Sequence, residues 1–229
     1  MWVYIGTSEL KNAYIGEYRW EPWSNTIVYY PLTANANDYS GNWLNATNYE
    51  GTFSTQDWCY FWTIVSRLEL PSMTIWQTFT ISAWIKLPNW QPTWYQELDL
   101  YYDWAYNHAN ILYACVAWWL YCYTWNNSTS SNAKTLSTTF WTWWNNIIIS
   151  KTWTSYSIYQ NSNLLETFSS AYNVSIPWWS NTVTIWHTPY STSEYSAFWY
   201  IKDYIIENKA RTAQEVADYY NQTKANYWL

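Results

Sequence analysis

The clearest β signal in the chain is the segment "NNIIISKTWTSYSIYQ" (residues 145–160). Its ends, "NNIIIS" and "SYSIYQ", are rich in β-branched and aromatic residues, and the polar "KTWT" between them has the position of a hairpin tip. Trp153 is unexpected there, because tight hairpin turns need positive φ at a central residue and prefer glycine. The segment therefore predicts a β-hairpin and raises the question of why an indole stands in its turn.

The same question applies to the whole chain, which has 23 Trp and only 4 Gly among 229 residues. An average glycine usage of about 7% would give roughly 16. Reading Trp118 and Trp119 as glycine turns "VAWWLY" into a two-residue Gly-Gly hairpin. We hypothesise that most Trp letters are glycines in the native protein, because a UGA codon that the source organism reads as glycine was translated as tryptophan. An aromatic-rich glycan-binding surface is the alternative. Low-complexity bias is disfavoured by the varied neighbours of each Trp.

The hypothesis separates turn tryptophans from core tryptophans. Trp84 alternates properly within "FTISAWIKL", and Trp144 directly precedes "NNIIIS", so both are expected to be true tryptophans, together with Trp23. The positions expected to be glycine are Trp43, Trp118, Trp119, Trp141, Trp143, Trp153, Trp186 and Trp199.

Outward from the hairpin, residues 27–206 show an all-β pattern of apolar runs separated by loops of Asn, Ser and Thr. Many strands at short spacing without intervening helices predict a sandwich or barrel. A capping box of Thr212 and Glu215, followed by apolar residues at helical spacing, predicts one helix over 212–224. The predicted strands lie within 25–32, 79–87, 109–117, 120–125, 145–150, 155–160, 181–186 and 197–207.

The N-terminal residues 1–26 form a separate segment by pattern, since "VYIG" is followed ten residues later by "AYIG". Two such short β units bury little by themselves. We therefore expect residues 1–26 to pack on a neighbour or to support homo-oligomerisation. Pro22 marks a plausible boundary before a domain at 27–229.

Charge and hydropathy restrict the function. The net charge is -6, charged residues make up 11%, and no basic cluster exists, so a nucleic-acid partner is not expected. No apolar run reaches membrane-span length, and no signal peptide is visible at the N-terminus. Export by another route and assembly into a particle both stay open.

Four segments of the chain form a recognisable series. They are "YYPLTANANDYSGN" (29–42), "FTISAWIKL" (79–87), "WNNIIISKTWTSYSIYQNSN" (144–163) and "AFWYIKDYIIENKARTAQEVADYY" (197–220). Together, over about residues 27–224, they resemble the laminin G-like domains of the concanavalin A-like lectin and glucanase superfamily. The third segment is similar to the family's Trp-led strand and hairpin, and the fourth to its closing strand and terminal helix. The resemblance implies a jelly-roll sandwich of two antiparallel sheets that binds carbohydrate or protein ligands, in some members with Ca²⁺ at the rim.

Asp38 and Asp203 are the acidic residues nearest the matched segments, and they are the candidate ligands for Ca²⁺, which requires oxygen donors. The alternative is that Asp38 caps a turn and Asp203 accepts from a backbone amide.

Glu97 and Asp99, at i and i+2, lie on one face of any strand there and raise the possibility of a glycosidase. The alternative for that pair is a solvated loop or an exposed strand face.

The remaining reactive side chains give weaker signals. His108 lies in a segment without metal-ligand spacing, as does the other histidine of the chain. A two-residue turn at 118–119 would place Cys115 opposite Cys122, within reach of a disulfide, although buried thiols are the competing interpretation. No nucleophile elbow and no local Cys-His motif predicts a catalytic triad.

These observations favour a non-catalytic recognition module for a glycan or surface protein, acting extracellularly on a cell surface or a virus particle. Tyr101 and Tyr102 are the candidate ligand-binding residues, by stacking on sugar rings. The alternatives are a structural tail or fibre domain with a protein interface and a glycosidase that uses Glu97 and Asp99.

Overall fold

The computed structural model describes residues 13–15, 18–20, 25–54, 58–61, 66–86, 96–99, 107–114, 120–126, 130–136, 143–169, 183–185 and 199–229. The strands of the N-terminal half are β1 (Ala13–Ile15), β2 (Tyr18–Trp20), β3 (Thr26–Tyr30), β4 (Thr47–Tyr49), β5 (Thr52–Phe53), β6 (Cys59–Phe61), β7 (Arg67–Leu70), β8 (Thr78–Lys86) and β9 (Gln96–Asp99). The later strands are β10 (Asn107–Ala114), β11 (Leu120–Asn126), β12 (Ser130–Leu136), β13 (Trp144–Thr152), β14 (Ser155–Gln160), β15 (Asn163–Ser169), β16 (Val183–Ile185) and β17 (Trp199–Glu207). Helix α1 (Ala213–Thr223) and a 3₁₀ turn (Lys224–Tyr227) follow.

The largest sheet has eight strands in the order β15-β14-β13-β8-β17-β6-β5, and β3 also pairs with β17. Further sheets have the orders β12-β11-β10-β9, β16-β7-β4 and β1-β2. All of the pairings among the described strands are antiparallel. The predicted all-β antiparallel sandwich with a short C-terminal helix is confirmed.

Strands β8 and β13 are neighbours in the interior of the largest sheet and are buried on both faces. Ile81, Ile147 and Ile149 face the main core, in which every member is nearly inaccessible to water. Ile148 on the opposite face packs with Val216 and with further residues of α1 and β3. A strand buried on both sides carries a continuous apolar run instead of an alternating one.

Helix α1 begins where its capping box predicts. The Thr212 side chain accepts from the Glu215 amide, and the Glu215 carboxylate accepts from the Thr212 amide. Val216 and Tyr219 are buried against the sheet. The predicted range of 212–224 therefore matches the helix and its cap.

Each of the eight predicted β runs contains a strand, whereas shorter or more polar strands escaped prediction. The residues of β4 are all exposed, and β12 has the polar sequence "SSNAKTL", so neither shows an apolar pattern. The strands missed in this way are β4, β5, β6, β7, β12 and β15.

The register predicted for the hairpin around residues 118–119 is wrong. Cys122 lies opposite Leu112, and Ala114 lies opposite Leu120, so Cys115 is not the cross-strand partner of Cys122. The connection takes five residues instead of two, which moves the partners of residues 120–123 by three positions. Among the described side chains, Cys59 is a buried free thiol, and burial raises its pKa.

Among the tryptophans with described side chains, one group is exposed at positive φ and another is buried in strands. Trp43, Trp153 and Trp228 have φ of 59°, 54° and 59° and are 84%, 62% and 82% exposed. Trp84 and Trp144 lie in strands and are buried.

Trp76 and Trp143 belong to neither group, because they are 62% and 68% exposed without a positive φ, and Trp58 is half-buried. The backbone of Trp143, a predicted glycine, therefore gives the recoding hypothesis no support.

Two of the three positive-φ tryptophans stand in motifs that favour glycine. Trp153 is the first central residue of the two-residue connection between β13 and β14, and positive φ at that position favours glycine. Trp228 follows the 3₁₀ turn, its amide donates to the Ala225 carbonyl, and the Leu229 amide donates to the Lys224 carbonyl. This is the Schellman pattern, whose left-handed residue is usually glycine. These conformations support the recoding hypothesis, which stays a prediction until masses are measured.

The N-terminal segment is described only in β1 and β2, which pair from Ala13 opposite Trp20 to Ile15 opposite Tyr18. The division into 1–26 and 27–229 stays a prediction. Among the helical residues that the structure describes, none form a helix long and apolar enough to cross a membrane.

Candidate functional site

Asp38 organises the loop that follows β3. Its Oδ1 accepts from the backbone amides of Tyr29 at 3.0 Å and Ser40 at 2.9 Å. Its Oδ2 accepts from the Ser40 hydroxyl at 2.8 Å and the Leu44 amide at 3.0 Å. The Asp-Tyr-Ser sequence thus forms an Asx turn, in which a side chain replaces a backbone acceptor.

Asp203 lies at an irregularity of β17, with φ of 49° and a register shift in its pairing with β8. Its carboxylate accepts from the hydroxyl of Tyr29 at 2.8 Å and from the hydroxyl of Tyr227. Burial raises the pKa of Asp203, while these two hydrogen bonds and the nearby Lys202 ammonium oppose that rise. The same burial and the adjacent carboxylate raise the pKa of Tyr29 and of Tyr227.

Tyr29 contacts both candidate calcium ligands, Asp38 through its amide and Asp203 through its hydroxyl. The two carboxylates are therefore at opposite ends of one tyrosine, and each is surrounded by N–H and O–H donors. Within the described residues, no group of three His, Cys, Asp or Glu side chains gathers as a metal site. Calcium at Asp38 and Asp203 stays a prediction.

The other candidates predicted from the sequence lie in strand β9 or outside the described residues. Glu97 pairs with Tyr113 and Asp99 with Ile111, so both belong to β9 at the edge of its sheet. Tyr101 and Tyr102 lie outside the described residues, and their role in ligand binding stays a prediction.

A different group of side chains forms a row across the largest sheet. Tyr60 of β6 lies opposite Tyr200 of β17, Tyr200 lies opposite Lys86 of β8, and Lys86 lies opposite Trp144 of β13. Directly opposed residues of antiparallel strands point to one face of a sheet. Lys202 shares that face because it follows Tyr200 by two positions. We call Tyr60, Lys86, Tyr200 and Lys202 the Tyr–Lys face.

The Tyr–Lys face is half-buried, so its side chains are fixed by packing and still reach solvent. The rings of Tyr60 and Tyr200 stack with centroids 4.7 Å apart and an interplanar angle of 23°. Trp58 meets Tyr200 edge-on at 5.6 Å. The Lys86 Nζ lies 5.7 Å from the Tyr200 centroid and 5.9 Å from that of Trp58, which is cation–π range.

The C-terminal 3₁₀ turn closes one side of this face. Tyr227 stacks on Trp84, with centroids 3.8 Å apart, and meets Trp144 edge-on at 5.3 Å. The Lys202 Nζ lies 5.3 Å from the Tyr227 centroid. The buried aromatics therefore form a rigid floor next to the half-buried tyrosines and lysines.

This face was not predicted from the sequence, for two reasons. The three-residue strand β6 shows no periodic signal, and the pairing of β6, β17, β8 and β13 is not deducible from the sequence. The alternation of Tyr200 with Lys202 and of Trp84 with Lys86 was visible. It indicated that aromatic and basic side chains share one face of each strand.

The chain matches no protein-family model and no curated protein. Its fold is similar to solved structures of toxin binding domains. Botulinum neurotoxin type C, in a structure whose subject is cell entry dependent on two ganglioside molecules, is 16% identical with a TM-score of 0.66, covering 86% of this chain and 51% of that one. The binding domain of Paraclostridial Mosquitocidal Protein 1 is 17% identical with a TM-score of 0.66, covering 86% and 52%.

A third similar structure is the binding domain of botulinum neurotoxin DC in complex with rat synaptotagmin II, at 15% identity and a TM-score of 0.63, covering 86% of this chain and 51% of that one. The chain thus spans about half the length of each of these structures. At such identities the likeness shows the fold, an antiparallel β sandwich shared with binding domains.

Proposed function

We propose that the chain is a non-catalytic recognition module of the laminin G-like kind that binds a glycan through the Tyr–Lys face, at a cell or particle surface. The observation that supports this proposal most directly is the row of Tyr60, Tyr200 and Lys86 across three strands. Sugar recognition combines flat aromatic surface with polar groups that orient the hydroxyls. A rigid sheet positions such groups more closely than a loop does.

The similar binding domains support the same function class, because one structure concerns interaction with gangliosides and another is a complex with synaptotagmin II. Those ligands belong to proteins about twice as long as the matched region. A protein ligand on a cell surface is accordingly the second candidate, and homo-oligomerisation through residues 1–26 would favour a structural role.

The test is a glycan array probed with the purified chain, with and without Ca²⁺. Tyr200→Ala should weaken the binding of each hit by roughly two- to tenfold, since one aromatic contact is worth about 0.5–1.5 kcal/mol. Tyr39→Ala is the matched control, because Tyr39 is an exposed tyrosine of the Asp38 loop. An array without any hit would refute glycan binding. Binding that only appears with Ca²⁺ would support the metal prediction.

A further inference from the structure

We infer that the Tyr–Lys face selects an acidic glycan, one with a carboxylate or sulfate group, and that Lys86 is the residue that binds the acid. This inference rests on the proposed glycan function and names its ligand class. The four residues of the face are tyrosines and lysines, so their identity does not depend on which Trp letters are native.

Lys86 is held in place without a carboxylate partner among the described residues. Its ammonium lies 5.7 Å from the centroid of the Tyr200 ring, and this contact orients it. A cation–π contact leaves the three N–H donors of an ammonium able to bond an anion. The Lys86 ammonium is therefore oriented with its donors available to a ligand, on a residue that is half-buried.

Lys202 adds a second positive charge close by. It lies opposite Trp84, two positions from Lys86 along β8, so the two lysines are diagonal neighbours with backbones about 7–8 Å apart. Buried Asp203 offsets part of the Lys202 charge, since Lys202 lowers the pKa of that carboxyl. Lys86 is consequently the principal cation of the pair.

The other cations with described side chains serve different purposes. Three of them pair with carboxylates, Lys151 is buried beneath the β13–β14 turn, and Lys224 bonds Asn221 on the helix. The ion pairs are Arg67–Glu69 at 2.7 Å, Lys209–Glu215 at 2.6 Å and Arg211–Glu207 at 2.5 Å. Two neighbouring lysines without such a partner thus distinguish this face within the described part of the chain.

The net charge of the chain, -6, repels an acidic ligand at long range, so the binding of an acid requires a local positive site such as this face. Toward a neutral glycan an ammonium acts only as a hydrogen-bond donor, a role that Ser or Asn also fills, whereas an acidic group adds a charge–charge contact.

The experiment uses an array on which sialylated, uronate-containing and sulfated glycans are each printed beside their neutral parents. The strongest pair is then measured by calorimetry at low and high ionic strength. The wild type should prefer the acidic member, and raising the salt should weaken that member alone, because screening acts on the charge contact. Lys86→Gln should lower the affinity for the acidic member by roughly three- to tenfold and leave the neutral one unchanged. Comparison of the carboxylate-containing glycans with the sulfated glycans then identifies which acidic group is preferred.

Lys224→Gln is the matched control, since Lys224 also lies over a tyrosine ring, at 5.5 Å from Tyr220, but begins the 3₁₀ turn and is not one of the four residues of the Tyr–Lys face. Lys86→Arg should retain the acid preference, which keeps the test valid if Lys86→Gln folds poorly. Equal affinity for acidic and neutral members would overturn the inference and leave glycan binding intact. Equal losses in Lys86→Gln and Lys224→Gln would also overturn it. The absence of any bound glycan would refute the proposed function itself.

Discussion

Replacing Trp153 by glycine should stabilise the protein, although it removes the largest side chain. Trp153 has φ of 54° in a two-residue hairpin turn and is 62% exposed. A non-glycine residue in the left-handed region costs about 1–2 kcal/mol. Glycine also has more conformational freedom in the unfolded chain, and this cancels about 0.5–1 kcal/mol of the stabilisation. The expected net stabilisation is about 1 kcal/mol, or roughly 2–4 °C in melting temperature for a chain of this length.

Alanine substitutions separate the backbone effect from loss of the indole. Trp153→Ala removes the same ring but keeps the positive φ, so Trp153→Gly should be more stable than Trp153→Ala by about 1 kcal/mol. The order should reverse at Trp84, which is buried in extended β8. Trp84→Gly should be less stable than Trp84→Ala by about 0.5–1 kcal/mol, and both should lose about 3–5 kcal/mol or more relative to the parent.

Guanidinium unfolding monitored by far-UV circular dichroism measures these differences. Trp43 and Trp228 should behave as Trp153 does, because their φ values are equally positive and their side chains are more exposed. If alanine equals or exceeds glycine at all three positions, the turns do not require glycine and the conformational support for recoding is lost.

In the native tryptic peptide that ends at Lys151, Trp141 and Trp143 should weigh as glycine and Trp144 as tryptophan; three tryptophan masses would refute recoding at this site. Thr212→Ala should cost about 1 kcal/mol in chemical denaturation, because it removes one half of the observed capping box, and an unchanged midpoint would deny the cap its role. Burial lowers the pKa of Lys151 to about 8, whereas an ordinary lysine titrates at about 10.4. Between these two pH values the unfolded state therefore binds more protons than the folded state. Over this window the stability of the wild type should rise relative to Lys151→Met by roughly 2–4 kcal/mol, and a flat difference would contradict the assigned pKa.

The parts of the fold that local sequence determines were predictable. Strands β8, β13 and β17 each have nine residues rich in β-branched and aromatic side chains, and the Thr212 capping box is a contiguous four-residue signal. The Asx turn at Asp38 is equally local, because Ser40 follows it by two positions.

Contacts between distant residues were not predictable in the same way. The hydroxyl of Tyr29 meets Asp203 across 174 positions, and no periodic pattern connects them. The register of β10 against β11 depended on the length of one connection, and an error of three residues there displaced Cys122 from its expected partner. The sequence thus identified side chains with suitable chemistry, but it did not predict which of them come together in space to form a site.

Exposed aromatics in this chain carry different meanings according to backbone conformation. Trp43 and Trp228 are exposed where the backbone adopts a glycine conformation, so their exposure follows from the turn and does not indicate a sugar platform. Tyr60 and Tyr200 lie in extended strands, packed on one another and anchored by register, which no substitution of tryptophan by glycine alters. If Trp58 is itself a glycine, Lys86 loses one ring and keeps the Tyr200 ring. A functional assignment based on the tyrosines and lysines therefore holds whether the turn positions are tryptophan or glycine. An assignment based on the turn indoles holds only if those positions are tryptophan.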